Sequence, residues 1–234
     1  MPVKQTIISI DLETTGLNPD RDAVIEIGLA RFHGGREEAR WSSFIHPGCR
    51  IPPVITQLTG ITDAMVANAP RLPQVIEEVR EFVGGGILLG HNIPFDLAFF
   101  KPFRLFGEND VIDTLELASA LLPHAPRYAL GALCAHLGIP LKATHRAMDD
   151  ALAAYGLYGQ LLATAESLPM GILADLVRYG QDVDWGGAVG LQAAYADRLK
   201  KEGALARAGP PHFPSLEPGP PPAARPALSP KDEP

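Results

Sequence analysis

Residues 3–16 read VKQTIISIDLETTG, and this stretch decides the fold. β-Branched residues, Val3, Thr6, Ile7, Ile8 and Ile10, dominate it up to Asp11, so residues 3–11 are expected to form a β-strand. Side chains two apart along a strand share a face, which makes Asp11 and Glu13 project together where the strand runs out. Two acids so close repel each other and raise each other's pKa, so such a strand end calls for a cation. On this fragment alone, a cation site and a solvated strand end are evenly matched.

Working outward, residues 23–32 and 40–46 also read as strands, separated by Gly, Pro, Asn and Asp clusters. In residues 72–83 the apolar positions Leu72, Val75, Ile76, Val79, Phe82 and Val83 recur at helical spacing, with Pro73 tolerated in the first turn. A short strand over residues 87–89, a helix over about 94–106 and a strand over 111–113 follow. Residues 115–122, 128–137 and 146–165 are expected to be helical, the second ending at Gly138 ahead of Pro140. Three strands followed by strand–helix–strand predict an α/β fold, a mixed sheet with helices packed against it. Residues 169–208 hold a helix, a Gly-rich turn at 185–190 and a charged helix, with no function legible. The expected division is a core domain over 1–168, a helical extension over 169–208 and a proline-rich tail over 209–234.

The chain has 234 residues, enough for one domain of ~150 residues plus appendages. An apolar share of 46% with 20% charged residues excludes wholesale disorder. The last 26 residues carry 10 of the 23 prolines and little apolar content, so they cannot build a core. No apolar run approaches the ~20 residues of a membrane span, and the N-terminus lacks a signal-peptide layout. A cytoplasmic protein without membrane attachment is expected. Cys49 and Cys134 are too few for a disulfide framework and have no partner at zinc-ligand spacing, so both are expected to be reduced. The net charge of −7 opposes a uniformly basic nucleic-acid binder. It leaves room for a metal enzyme, which must itself concentrate carboxylates.

Two further stretches carry chemistry. HNIPFD, residues 91–96, puts Asp96 where a helix begins after a short buried strand, a position from which α/β sheets present residues to ligands. HRAMDD, residues 145–150, puts His145, Asp149 and Asp150 at the head of the long late helix. A helical His145 would share its face with Asp149, whereas a His145 in the preceding loop lets either aspartate face the site. Spacing does not choose between them. Together the acids and the histidine form an oxygen-rich donor set without cysteine, which favours Mg²⁺ or Mn²⁺ and phosphate-bearing substrates. Two such ions ~3.5 to 4 Å apart support in-line displacement at phosphorus.

DLETTG, HNIPFD and HRAMDD, in this order, resemble the three motifs of the DEDDh 3′–5′ exonucleases, above all the epsilon-type proofreading subunits of bacterial DNA polymerase III. The resemblance covers about residues 6–162. It implies a ribonuclease H-like fold with a mixed five-stranded sheet, and removal of 5′-monophosphates from 3′ ends. It makes Asp11, Glu13, Asp96 and Asp150 the ligands of two Mg²⁺ or Mn²⁺ ions, with Asp11 bridging and Asp150 preferred to Asp149. His145 becomes the general base, suited to a group that changes charge near neutrality. Thr14, Thr15, Gly16 and Leu17 would lie against the 3′-terminal nucleotide, through backbone groups and the Leu17 side chain. The implied partners are single-stranded or frayed DNA 3′ ends, with RNA left open, and the polymerase III alpha subunit.

His91 and Asn92 are candidates to orient a backbone or phosphate, with loop hydrogen bonding as the alternative. Arg146, Lys142, Lys101, Arg104 and Arg127 are candidate phosphate contacts, each with a solvated charge as its alternative. Gly84, Gly85 and Gly86 match neither a P-loop nor a dinucleotide fingerprint, which removes a nucleotide-dependent oxidoreductase. QDVDW at 181–185 is a weak echo of a sliding-clamp peptide. The remaining competitor is a catalytically silent adaptor of the same fold, docking a partner through its C-terminal region. Its usual mark, a lost acid, is missing.

Overall fold

The computed structural model describes residues 6–141, 145–180, 183 and 185–208. The expected strand residues Val3, Lys4 and Gln5, the Lys142 candidate, most of QDVDW and the proline-rich tail lie outside the described residues.

Five strands, β1 (Thr6–Thr14), β2 (Val24–His33), β3 (Arg36–Phe44), β4 (Ile87–Gly90) and β5 (Val111–Asp113), form one sheet in the order β3-β2-β1-β4-β5. β1 pairs antiparallel with β2 and β2 with β3, while β4 runs parallel to both β1 and β5. The sheet is therefore mixed and five-stranded. The helices are α1 (Pro53–Thr59), α2 (Asp63–Val66), α3 (Leu72–Val83), α4 (Ile93–Ala98), α5 (Thr114–Leu121), α6 (Leu130–Leu137), α7 (Ala147–Ser167), α8 (Met170–Gly180) and α9 (Ala188–Ala208). Among the described residues no helix is long and apolar enough to cross a membrane.

The central strand β1 is sandwiched, and its two faces have different work. Ile8, Ile10 and Leu12 point into a core with Val75, Ile76 and Val79 of α3 and Ile93 of α4. Ile7 points the other way, into a core built with α5, α6, α7 and α9. The strand period of two places Ser9, Asp11 and Glu13 on that second face. Ser9 Oγ donates to the Ala151 carbonyl of α7 over 2.5 Å, so α7 lies directly across them.

Several boundaries differ from expectation. β1 runs on to Thr14, with a bulge between Glu13 and Thr14, so both acids sit within the strand rather than past its end. β3 starts at Arg36 rather than residue 40, because Gly34 and Gly35 adopt φ of 56° and 84° and close a two-residue hairpin. The helix expected over 94–106 stops at Ala98 and gives way to a 3₁₀ turn, Lys101–Phe103, with Arg104 and Phe106 left-handed. Pro102 lacks the N–H that a continuing α-helix needs. α1 and α2 are too short to leave a periodic signal.

The extension beyond residue 168 packs on the domain. Leu173, Leu191 and Ala194 join the α5–α7 core. The turn at Trp185–Gly187 reaches the sheet edge: Asp113 N donates to Gly186 O at 2.9 Å, and Gly186 N donates to Glu116 Oε2 at 2.5 Å. A side chain on Gly186 would meet Asp113 Cβ at 2.6 Å, so glycine alone fits there.

Candidate active site

Asp11 and Glu13 face α7 from the middle of the sheet, and the pairing partners of these two residues on β2 are Gly28 and Glu26. Gly28 lets the backbone of α7 come close: a Cβ there would lie 2.4 Å from the Ala147 carbonyl carbon. The first turn of α7 is thereby pressed against β2, and Asp150 is brought over the two strand acids. Donor atoms of Glu13, His145 and Asp150 all lie within 4.8 Å of one another. His145 Nδ1 is 3.7 Å from Asp150 Oδ2.

Asp96 arrives from α4. It is only 4% exposed, and its Oδ1 accepts the Leu12 amide over 3.0 Å, between the two strand acids. The left-handed Asn92 (φ 62°) starts α4 and donates its amide to Asp113 Oδ1, while Asp113 also caps α5 through Leu115 N.

The electrostatics are those of crowded carboxylates. Asp11 is pushed well above the usual range by burial first, then by Asp96, Asp150, Glu13 and Glu26. Burial also raises Asp96, against the hydrogen bond from Leu12, with Asp113 and Glu13 adding to the rise. Glu13 is raised to about 8 by burial, Asp150 and Glu26, with Arg146 opposing. Asp150 is raised to about 6 by burial, with His145 opposing. Four acids converge with too little positive charge among them, and their oxygens suit a hard divalent cation. The residues present therefore fit such an ion.

Between the two aspartates that spacing leaves equivalent, Asp150 is buried at 8% exposure and faces the cluster, whereas Asp149 is half-buried beside it. Thr14 and Thr15 turn their hydroxyls into their own loop: Thr14 Oγ1 donates to Gly16 O, and Thr15 Oγ1 bonds Asp22 and accepts from Ala23 N. That bracing holds Leu17 out at 84% exposure. His91 has both ring nitrogens within hydrogen-bond distance of the fold itself, Nδ1 at Thr114 Oγ1 and Nε2 at the Tyr128 carbonyl. Cys134 is buried beside the cluster, and burial followed by the charge of Asp150 pushes its thiol up to about 11.

Sequence reading missed Glu26. Its signal was an acid inside the apolar run VIEIGL, on a strand buried on both faces. It also misjudged the surroundings of Arg146, whose guanidinium forks onto Glu26 with contacts of 2.7 to 3.2 Å.

Acids from the central strand, from α4 and from α7 thus meet on one face of a mixed five-stranded sheet. Residues 8–158 match the exonuclease family, and the chain belongs to it. The DNA polymerase III subunit epsilon of Aquifex aeolicus is 33% identical over 166 residues, spanning 67% of this chain and 80% of the relative. The PolC-type DNA polymerase III of Oceanobacillus iheyensis is 39% identical over 155 residues, 64% of this chain. The chain spans only 11% of that much longer relative. Among solved structures, Exonuclease X in complex with 5′ overhanging duplex DNA superposes with a TM-score of 0.56 at 26% identity, covering 68% of this chain and 92% of that one. The fold is ribonuclease H-like, and residues 8–158 are an exonuclease domain.

Proposed function

We propose that the protein is a metal-dependent 3′–5′ exonuclease that hydrolyses the terminal phosphodiester bond of DNA and releases nucleoside 5′-monophosphates, in proofreading or repair. The observation that carries this reading is the meeting of Glu13, His145 and Asp150, donor atoms within 4.8 Å of one another, with Asp96 held at Leu12 between Asp11 and Glu13. In it, Asp11, Glu13, Asp96 and Asp150 would hold the divalent ions, Mg²⁺ or Mn²⁺. When bound, the ions acidify the attacking water and offset the charge on the phosphate and the leaving oxygen.

The chain's own residues do the rest. His145, whose Nδ1 lies 3.7 Å from Asp150 Oδ2, takes the proton from the attacking water. Its exposure at the cluster's edge gives that proton a path to solvent. The braced loop of Thr14, Thr15 and Gly16 presents backbone groups to the 3′-terminal nucleotide, and Leu17 packs on its base. His91 and Asn92 act behind the site, holding α4 and hence Asp96 in place.

The substrate is a single-stranded or frayed 3′ end. The relation to epsilon subunits supports a polymerase III alpha subunit as partner and a cytoplasmic site of action. A silent adaptor is the weaker reading, since every acid of the motif set is present.

The test incubates end-labelled single-stranded DNA, mispaired duplex and short RNA with Mg²⁺, Mn²⁺ or chelator, alongside Asp11→Asn. Stepwise shortening from the 3′ end that needs metal and Asp11 is expected. Equal turnover by Asp11→Asn, or none by the natural chain under every metal, would refute the reading.

A further inference from the structure

We propose that Arg146 is a positioning residue rather than a phosphate contact: paired with Glu26 of β2, it fixes the first turn of α7 and thereby the places of His145 and Asp150. The inference rests on the exonuclease reading above.

Glu26 is 4% exposed, and both its oxygens are engaged. Arg146 Nη2 meets Oε1 at 2.7 Å, and Nε meets both oxygens at 3.0 and 3.2 Å, a fork geometry that lysine cannot reproduce. The Phe44 ring lies under the guanidinium, 5.2 Å from its carbon. Glu26 Oε2 also accepts the Ala147 amide at 3.1 Å, which satisfies one of the donors that a helix start leaves open. The Arg146 carbonyl in turn accepts the Asp150 amide at 3.0 Å, closing the first turn. One carboxylate from a neighbouring strand, 120 positions away, therefore sets where α7 begins. His145 immediately precedes that point and Asp150 lies one turn after it. A shift of about 1 Å in catalytic groups costs roughly 10²-fold in rate.

The experiment uses the full chain with Glu26→Gln, Arg146→Met, Arg146→Lys and the double variant Glu26→Gln/Arg146→Met. Expected is a fall in kcat of about 10²-fold in each single variant, lysine included, with KM for a single-stranded oligonucleotide unchanged. The double variant is expected to lose no more than the worse single, because both act through one contact. Oligonucleotide binding in chelator gives a second readout that needs no turnover. A phosphate contact would lower the slope of log affinity against log salt by about 0.7 in Arg146→Met, whereas a positioning residue leaves it unchanged. A raised KM with intact kcat, a shallower salt slope, full activity in Arg146→Lys, or additive losses would overturn the proposal. Absence of turnover in the natural chain would instead refute the exonuclease reading, with the salt slope still deciding the role of Arg146.

Discussion

The Leu12 amide donates to the carboxylate of Asp96 across 84 positions of sequence, at 3.0 Å, pinning the head of α4 to β1 between the acids Asp11 and Glu13. That bond gives Asp96 two separable duties, a charge for the cluster and an acceptor for the strand.

Asp96→Asn keeps an oxygen for Leu12 while removing the charge, so it is expected to fold, bind metal weakly and lose hydrolysis. Asp96→Ala also strands a buried donor, at a cost of about 1–3 kcal/mol. Urea denaturation and oligonucleotide cleavage, compared across the two variants, separate these effects; equal stability would contradict the second duty.

The raised acids tie stability and metal binding to pH. Glu13 at about 8 and Asp150 at about 6 stand above their ordinary values, so the folded state favours their protonated forms. The stability they contribute is fully present below the ordinary carboxylate range and is lost as pH rises through about 6 and then about 8. Divalent ions need the ionised forms and relieve the repulsion. The rise in Tm on adding Mg²⁺ or Mn²⁺ over a chelator control is therefore expected to be larger at pH 8.5 than at pH 5.5. A metal-induced shift independent of pH would contradict this.

His145→Gln removes the proton acceptor but leaves the four acids. Hydrolysis is expected to fall about 10²-fold or more, while the Tm shift produced by Mn²⁺ persists. Unchanged hydrolysis in the variant would exclude His145 as the base.

Gly186→Ala forces a methyl group into Asp113, whose carboxylate holds Asn92 and Leu115. A loss of about 1–3 kcal/mol is expected, seen as a lower urea midpoint. An unchanged midpoint would mean that the turn at 185–187 is merely laid against the domain and contributes nothing to it.

The sequence by itself determined the α/β order of elements, the bounds of α3, and the three motifs that mark the family. Each is written in local periodicity or in a few adjacent residues: a period of two sends Asp11 and Glu13 to one face, and a helical period marks Leu72–Val83. Only the tertiary structure showed that Asp150 is the more buried of the two neighbouring aspartates, found Glu26, and paired Arg146 with that buried carboxylate. It alone set the extension against the edge of β5 through Gly186. The physical reason is distance along the chain. Which carboxylate enters the cluster depends on how closely α7 approaches β2, and that approach is set by Gly28 and Glu26, residues more than a hundred positions away that no local pattern connects to it.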